Sequence, residues 1–170
     1  LSFHGGFIGV LISFFIFSKK LNIGFFDLAD HIALAFPIGL GFVRIGNFLG
    51  GELLGRPTDL PWGMIFWSDP LQISRHPSQL YQAFFEGIVL FIILNLLVIK
   101  PKPKIFISGM FLALYGSFRV FTETFRMPDS HIGFDFLDII TRGQLLSTPM
   151  VIIGLLLIFL SYRNKNETIS

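Results

Sequence analysis

Apolar residues along this chain gather into five stretches: Phe3 to Phe17, Leu28 to Val43, Leu80 to Ile99, Ile105 to Phe125 and Leu145 to Tyr162. Each is long enough, or nearly so, to cross the roughly 30 Å hydrocarbon layer of a bilayer, the first two as tilted or locally thinned spans. None shows the alternation of a strand, and in lipid every backbone polar group must be satisfied internally, so each stretch predicts a helix. The expectation is an all-α, polytopic membrane helix bundle with five spans, a single integral membrane domain over residues 1–170. Residues 44–79, between the second and third spans, are too long for a plain link. Gly55 to Gly63 reads as turns, and Trp62 and Trp67 suit the headgroup level, so this segment predicts a small outward-facing cap.

Composition agrees with lipid as the solvent, with 52% hydrophobic residues, 14% charged residues and a mean hydropathy of +0.70. The absence of Cys excludes a disulfide framework, a thiolate metal site and a thiol nucleophile in this chain. The formal charge of +2 does not form a soluble basic face, so no nucleic-acid partner is expected. Its basic residues flank the spans instead. Lys19 and Lys20, then Lys100, Lys102 and Lys104, then Arg163 and Lys165 all fall on one side if each stretch crosses once. The positive-inside rule makes that side the cytoplasm, with the C-terminus there and with residues 44–79 and 127–144 facing outward. The chain opens on Leu1 and enters an apolar run at once, without the charged region of a signal peptide, so an N-terminal part is expected to precede it.

Four polar clusters interrupt this pattern. His4 lies within the first apolar run beside Gly5 and Gly6. An intramembrane histidine is either a functional group or a hydrogen-bonding partner for a neighbouring helix. Arg44 to Arg56 combines four glycines with Arg44, Asn47, Glu52 and Arg56, a pattern expected of irregular backbone folded round a polar ligand. Arg44 can grip a phosphate through two donors, although alone it could equally snorkel to lipid headgroups. Arg75-His76-Pro77-Ser78-Gln79 reads as the start of a helix, with Ser78 able to cap it and His76 and Gln79 near the interface. Arg119, Glu123 and Arg126 are spaced by four and three residues, which predicts one helical face carrying two arginines around a carboxylate. That set suits either an anionic ligand or an ion-pair lock between helices. All four clusters map to the outward half of the bundle. No metal site is expected, because the histidines and carboxylates lack ligand spacing, and no nucleophile elbow or P-loop is present.

These same residues carry a family resemblance. Val43-Arg44-Ile45-Gly46-Asn47-Phe48-Leu49-Gly50-Gly51-Glu52-Leu53-Leu54-Gly55-Arg56 resembles the long signature of prolipoprotein diacylglyceryl transferases. Ser2-Phe3-His4-Gly5-Gly6, His76-Pro77-Ser78-Gln79-Leu80-Tyr81, Tyr115-Gly116-Ser117-Phe118-Arg119 continuing through Glu123 to Arg126-Met127-Pro128-Asp129, and Gly143-Gln144-Leu145-Leu146-Ser147 are similar to four further segments of that family, in the same order. Val43, Gly50, Gln82 and Arg142 depart from the residues usual there, Gln82 standing where Glu commonly follows the tyrosine.

The resemblance implies a seven-span enzyme of the bacterial cytoplasmic (inner) membrane, with its active site toward the outer leaflet and two further spans N-terminal to those here. Such an enzyme moves sn-1,2-diacylglyceryl from phosphatidylglycerol to the lipobox cysteine thiol of a prolipoprotein, forming a thioether and releasing glycerol phosphate, with no cofactor. It implies phosphatidylglycerol, the prolipoprotein and membrane lipids as partners. Carried onto this sequence, it implies catalytic roles for His4, Arg44 and Arg119, and substrate binding by Arg44, Asn47, Glu52, Gly55, His76, Gln79, Glu123 and Arg126. Arg44 and Arg119 would neutralise the leaving phosphate, and His4, in preference to His76, would take the thiol proton. Glu123 would orient the arginines, while Asn47 and Glu52 would meet the glycerol headgroup or hold the cap. Two rival readings keep the same residues: a lipid-binding or lipid-translocating protein needing no base, and a structural membrane subunit whose Arg119, Glu123 and Arg126 lock helices together.

Overall fold

The computed structural model describes residues 3–127 and 141–167, with side chains described at 9–127, 141 and 143–163. It is mostly helical. Helix α1 (Phe3–Leu21) turns through Asn22 to Gly24 into α2 (Phe25–Leu49). A non-helical segment with a small antiparallel hairpin, β1 (Met64–Ile65) and β2 (Ser74–Arg75), leads to α3 (Ser78–Gln82). A π-helical segment (Ala83–Val89) and α4 (Leu90–Leu97) continue the same rod. Then come α5 (Phe106–Glu123) and α6 (Arg142–Glu167). Three stretches are long and apolar enough to cross a membrane: Phe25–Leu49, Ser78–Leu97 and Gly143–Arg163.

Burial is arranged as lipid solvation requires. Phe42 at 69% and Phe159 at 65% exposure typify many large apolar side chains that face outward, where hydrocarbon rather than water is the favourable neighbour. The interior divides along its length. Near the lysine-bearing ends, Ala33, Leu90, Leu94, Phe106 and Ile107 form an apolar core. Toward the other end, where Phe66 and Ala83 are also buried, most buried side chains are polar, among them Ser78, Gln79, Gln82, Glu86, Thr122, Glu123 and Arg126.

The lysine end is tied by α2. Asp30 accepts from the backbone N–H groups of Ile105 and Ser108 and from the Ser108 hydroxyl, so a carboxylate from another helix satisfies donors that the first turn of α5 leaves open. Lys104 pairs with Asp27 at 2.8 Å, and Phe106 packs edge-on against Tyr162, which brings the three basic clusters' helix ends together.

Three expectations need correction. Arg44 and Asn47 are not on irregular backbone: α2 continues to Leu49, and the chain leaves helical geometry only at Gly50 and Gly51. Ser78 does not cap α3; Pro77 holds the cap position, and the Ser78 hydroxyl instead donates to the Leu53 carbonyl at 3.1 Å. Arg126 does not share a helical face with Arg119, because α5 ends at Glu123 and Arg126 sits in an extended bridge opposite Gly55.

Candidate functional site

The site is assembled where α2, the third-span rod and α5 meet. Glu86, fully buried at the centre of the π-helical segment, receives Arg44 from α2 through both Nε and Nη2, each 3.2 Å from Oε2. Its Oε1 receives the Thr122 hydroxyl at 3.2 Å and lies 3.5 Å from Arg119 Nη1. Arg119 reaches on to Glu123 at 3.0 Å, and Glu123 Oε1 lies 3.6 Å from Arg126 Nη1. The Glu123 carboxyl also abuts Gly143 in the first turn of α6. Arginines and carboxylates thus alternate across three helices and the loop after α5. Charges buried this deeply persist only when each has partners, because stripping water from an ion costs several kcal/mol by order of magnitude.

Local structure sets this geometry. The backbones of α2 and the π-helical segment touch at Gly41 and Gly87, three residues before Arg44 and one after Glu86, so the two side chains need only bridge a close helix crossing. A π-helical turn inside an α-helix is uncommon and costs regular hydrogen bonding, and such turns gather at functional sites. Tyr115, one turn before Arg119 on α5, stands within electrostatic reach of Glu86, Arg119 and Arg44.

Beside this network the 50–77 segment is tied to the ends of α3 and α5. The guanidinium of Arg75 grips Asp69 at two points, Nε to Oδ2 at 2.7 Å and Nη2 to Oδ1 at 3.0 Å, and its Nη1 donates to the Gly55 carbonyl at 3.3 Å. This grip, with the Leu71 and Ile73 amides also donating to the carboxylate, holds Asp69 down to about 2 against the opposing pull of burial. Arg56 N–H donates to the Phe125 carbonyl and Met127 N–H to that of Leu54, stitching the segment to the end of α5. Gly55 is obligatory in this seam: a β-carbon there would stand 2.0 Å from the His76 carbonyl oxygen.

Of the expected site residues, Arg44, Arg119, Glu123 and Arg126 are brought together. Gln79 is fully buried one turn before the π segment and donates to the Glu52 carbonyl. Gly55 belongs to the covering seam. The Glu52 side chain is exposed, and Asn47, half-buried on α2, contributes its carbonyl to the Glu52 amide. His76 forms a separate cluster with Tyr81 and Phe125, its Nδ1 3.3 Å from the Tyr81 hydroxyl, which also receives the Trp62 indole at 2.9 Å. His4 falls in the first turn of α1, and its side chain lies outside the described residues, as do Pro128 and Asp129. Glu86, the hub of the network, was not among the expected residues. Its signal was available: it is the one charged residue between Leu80 and Ile99.

Residues 1–160 match the family described as prolipoprotein diacylglyceryl transferase. A phosphatidylglycerol–prolipoprotein diacylglyceryl transferase of Pseudomonas syringae pv. syringae (strain B728a) is 53% identical over 165 residues, covering 96% of this chain and 61% of the relative. Relatives of the same name from Teredinibacter turnerae and Pseudomonas putida (strain KT2440) are each 52% identical, over 96% and 97% of this chain and 57% and 62% of their own lengths. The chain therefore spans about six tenths of the length of these curated relatives.

Proposed function

This chain belongs to the prolipoprotein diacylglyceryl transferase family, and on that premise we propose that it forms the lipid-holding core of an enzyme that transfers diacylglyceryl from phosphatidylglycerol to a prolipoprotein cysteine. The observation that carries this reading is the convergence of Arg44 and Arg119, from different helices, on one buried carboxylate. Two guanidiniums fixed a short distance apart make a site for the oxygens of a phosphodiester.

In the reaction, the cysteine sulfur attacks the sn-3 carbon of the diacylglyceryl group. A C–S bond forms, the C–O bond to phosphate breaks, and glycerol phosphate leaves with the bonding electron pair. Negative charge grows on the phosphate as it departs, so Arg44 and Arg119 stabilise the transition state more than the bound lipid. Glu86 keeps both guanidiniums in place before lipid arrives, so little reorganisation accompanies the step. The thiol proton goes to a base, for which His4 is the candidate on this chain and His76 the alternative. Glu123 orients Arg119 and Arg126 from the far side of the network, and Asn47, Glu52, Gly55 and Gln79 lie along the route from the arginines to the covering segment.

In this reading all five long helices cross a bacterial inner membrane. The lysine-bearing end and C-terminus face the cytoplasm, and the arginine network with its cover faces the outer leaflet, where lipid and the prolipoprotein's lipobox meet.

The test uses the full-length protein in phosphatidylglycerol proteoliposomes with a lipobox peptide, comparing wild type with Arg44→Ala at matched folded amounts. Thioether product from wild type and its collapse in the variant is the expected result. A well-folded wild type that binds phosphatidylglycerol but yields no thioether would return the protein to the lipid-binding class. An Arg119→Gln variant that loses its fold, with no lipid preference in wild type, would mark the network as a structural lock.

A further inference from the structure

The proposed reaction leaves one buried group unused. Gln82, 1% exposed at the end of α3, has neither its amide nitrogen nor its amide oxygen paired among the described residues, so exchanging the two atoms would not satisfy it. Gln79, three residues earlier, leaves its own Oε1 buried and unpaired while its Nε2 is held by the Glu52 carbonyl. Buried amides almost always find partners, and two on successive turns of one helix mark a place where a polar guest is expected.

Their position says what kind of guest. Gln79, Gln82 and Glu86 are spaced by three and four residues, all fully buried, so they line one face of the rod. Gln82 lies roughly 6 Å along the axis from Glu86, toward the covering segment. Both Glu86 oxygens are engaged, by Arg44 on one side and by Thr122 and Arg119 on the other. On this face of the rod the polar capacity left over is therefore neutral, a donor and acceptors from Gln79 and Gln82, while the charged capacity left over lies on α5 at Arg119 Nη1 and Glu123 Oε2. An alcohol matches that set because each hydroxyl both donates and accepts, whereas an ammonium only donates and gains no counter-charge there.

We propose that Gln82, with Gln79 Oε1, is the specificity determinant for the lipid headgroup, hydrogen-bonding the vicinal diol of the terminal glycerol while Arg44 and Arg119 hold the phosphodiester. The inference rests on the proposed transferase reading and adds to it the side-chain atoms that read the headgroup.

The experiment measures thioether formation by the full-length protein from phosphatidylglycerol and, separately, from phosphatidylpropanol of the same acyl chains, which keeps the phosphodiester and lacks the hydroxyls. Wild type should favour phosphatidylglycerol by about tenfold or more in kcat/KM, since a site built to bond a hydroxyl is left unpaired by the deoxy ligand. Gln82→Met, similar in length but without hydrogen-bonding capacity, should reduce that ratio to about 1 by slowing the phosphatidylglycerol reaction alone. Gln82→Glu should keep at least half of the preference on a logarithmic scale. A merely structural role would slow both lipids equally. A ratio near 1 in wild type, or an unchanged ratio in folded Gln82→Met, overturns the inference while the transferase reading stands. Should Gln82→Met fail to fold, loss of the preference in Gln82→Glu overturns it instead. No transfer from either lipid by wild type removes the transferase reading and this inference with it.

Discussion

Gly41 and Gly87 hold α2 and the π-helical segment so close that a β-carbon on Gly87 would lie 2.8 Å from the Gly41 Cα. The obstacle is backbone, which cannot rotate away as a side-chain tip can. Gly87→Ala should therefore part the helices beside the Arg44–Glu86 pair, costing about 1–3 kcal/mol as overpacking does. Gly39→Ala, whose added carbon meets nothing within 4 Å, serves as the control. Thermal unfolding in detergent should fall for the first and hold or rise for the second; equal behaviour would contradict the close crossing.

Glu86→Gln removes the negative charge at the hub while keeping its length. Arg44 and Arg119 would then repel each other in a dry setting, and breaking a buried ion pair by neutralising one partner costs roughly 3–5 kcal/mol. The proposed diacylglyceryl transfer, assayed in the full-length protein, should drop by about 100-fold or more, as when a preorganised electrostatic contact is lost. Assays at 0.05 and 0.5 M salt should give the same deficit, because buried charges are poorly screened. A variant with near-normal transfer would separate Glu86 from the positioning of the arginines.

Asp69 gives the covering segment a defined acid limit. Its carboxyl titrates at about 2 in the folded protein against a usual value of 3.8, held down chiefly by Arg75. A lowered folded-state value means the folded form binds fewer protons than the unfolded one between these points. The contribution is whole above about pH 4 and is lost as pH falls toward 2. Protection of the 69–76 amides against hydrogen exchange should therefore be steady from pH 7 to 4.5 and weaken below 4. Asp69→Asn should show the weaker protection at every pH, and a wild type that loosens already near pH 6 would point to another titrating group.

Asp30→Ala should loosen the start of α5, since Ile105 and Ser108 lose the acceptor for their N–H groups. A lost helix cap costs about 1–2 kcal/mol. Asp30→Asn, which retains one acceptor oxygen, should recover part of the difference in unfolding temperature. Identical values for both variants would place the effect in the charge rather than the cap.

The sequence was most legible where chemistry and periodicity coincided. Arg119 and Glu123, four residues apart, do pair, and the lysine clusters do gather at one end of the bundle. Helix ends were less legible, because α2 carries glycines through Gly46 without breaking, its lipid-facing and packed surfaces outweighing local propensity. Glu86 is hidden inside an apolar stretch, and Gln82 shows in the sequence only as a departure from the family pattern, because a lone carboxylate there asks for a partner that only tertiary contacts reveal. Asp69 and Arg75 sit in turn-rich sequence where no spacing rule predicts a two-point grip.

The π-helical segment acts as a phase shifter within a single rod. Before it, the inward face of the helix carries Ser78, Gln79 and Gln82; after it, the inward face carries Leu90 and Leu94. A helix of constant pitch keeps one register from end to end, and removing a residue turns everything beyond it by about 100°. Deleting one residue between Ala83 and Val89 would thus force a choice between seating the polar half and seating the apolar half. The widened turn lets one continuous helix be in register with both compartments, with the hub carboxylate at the seam.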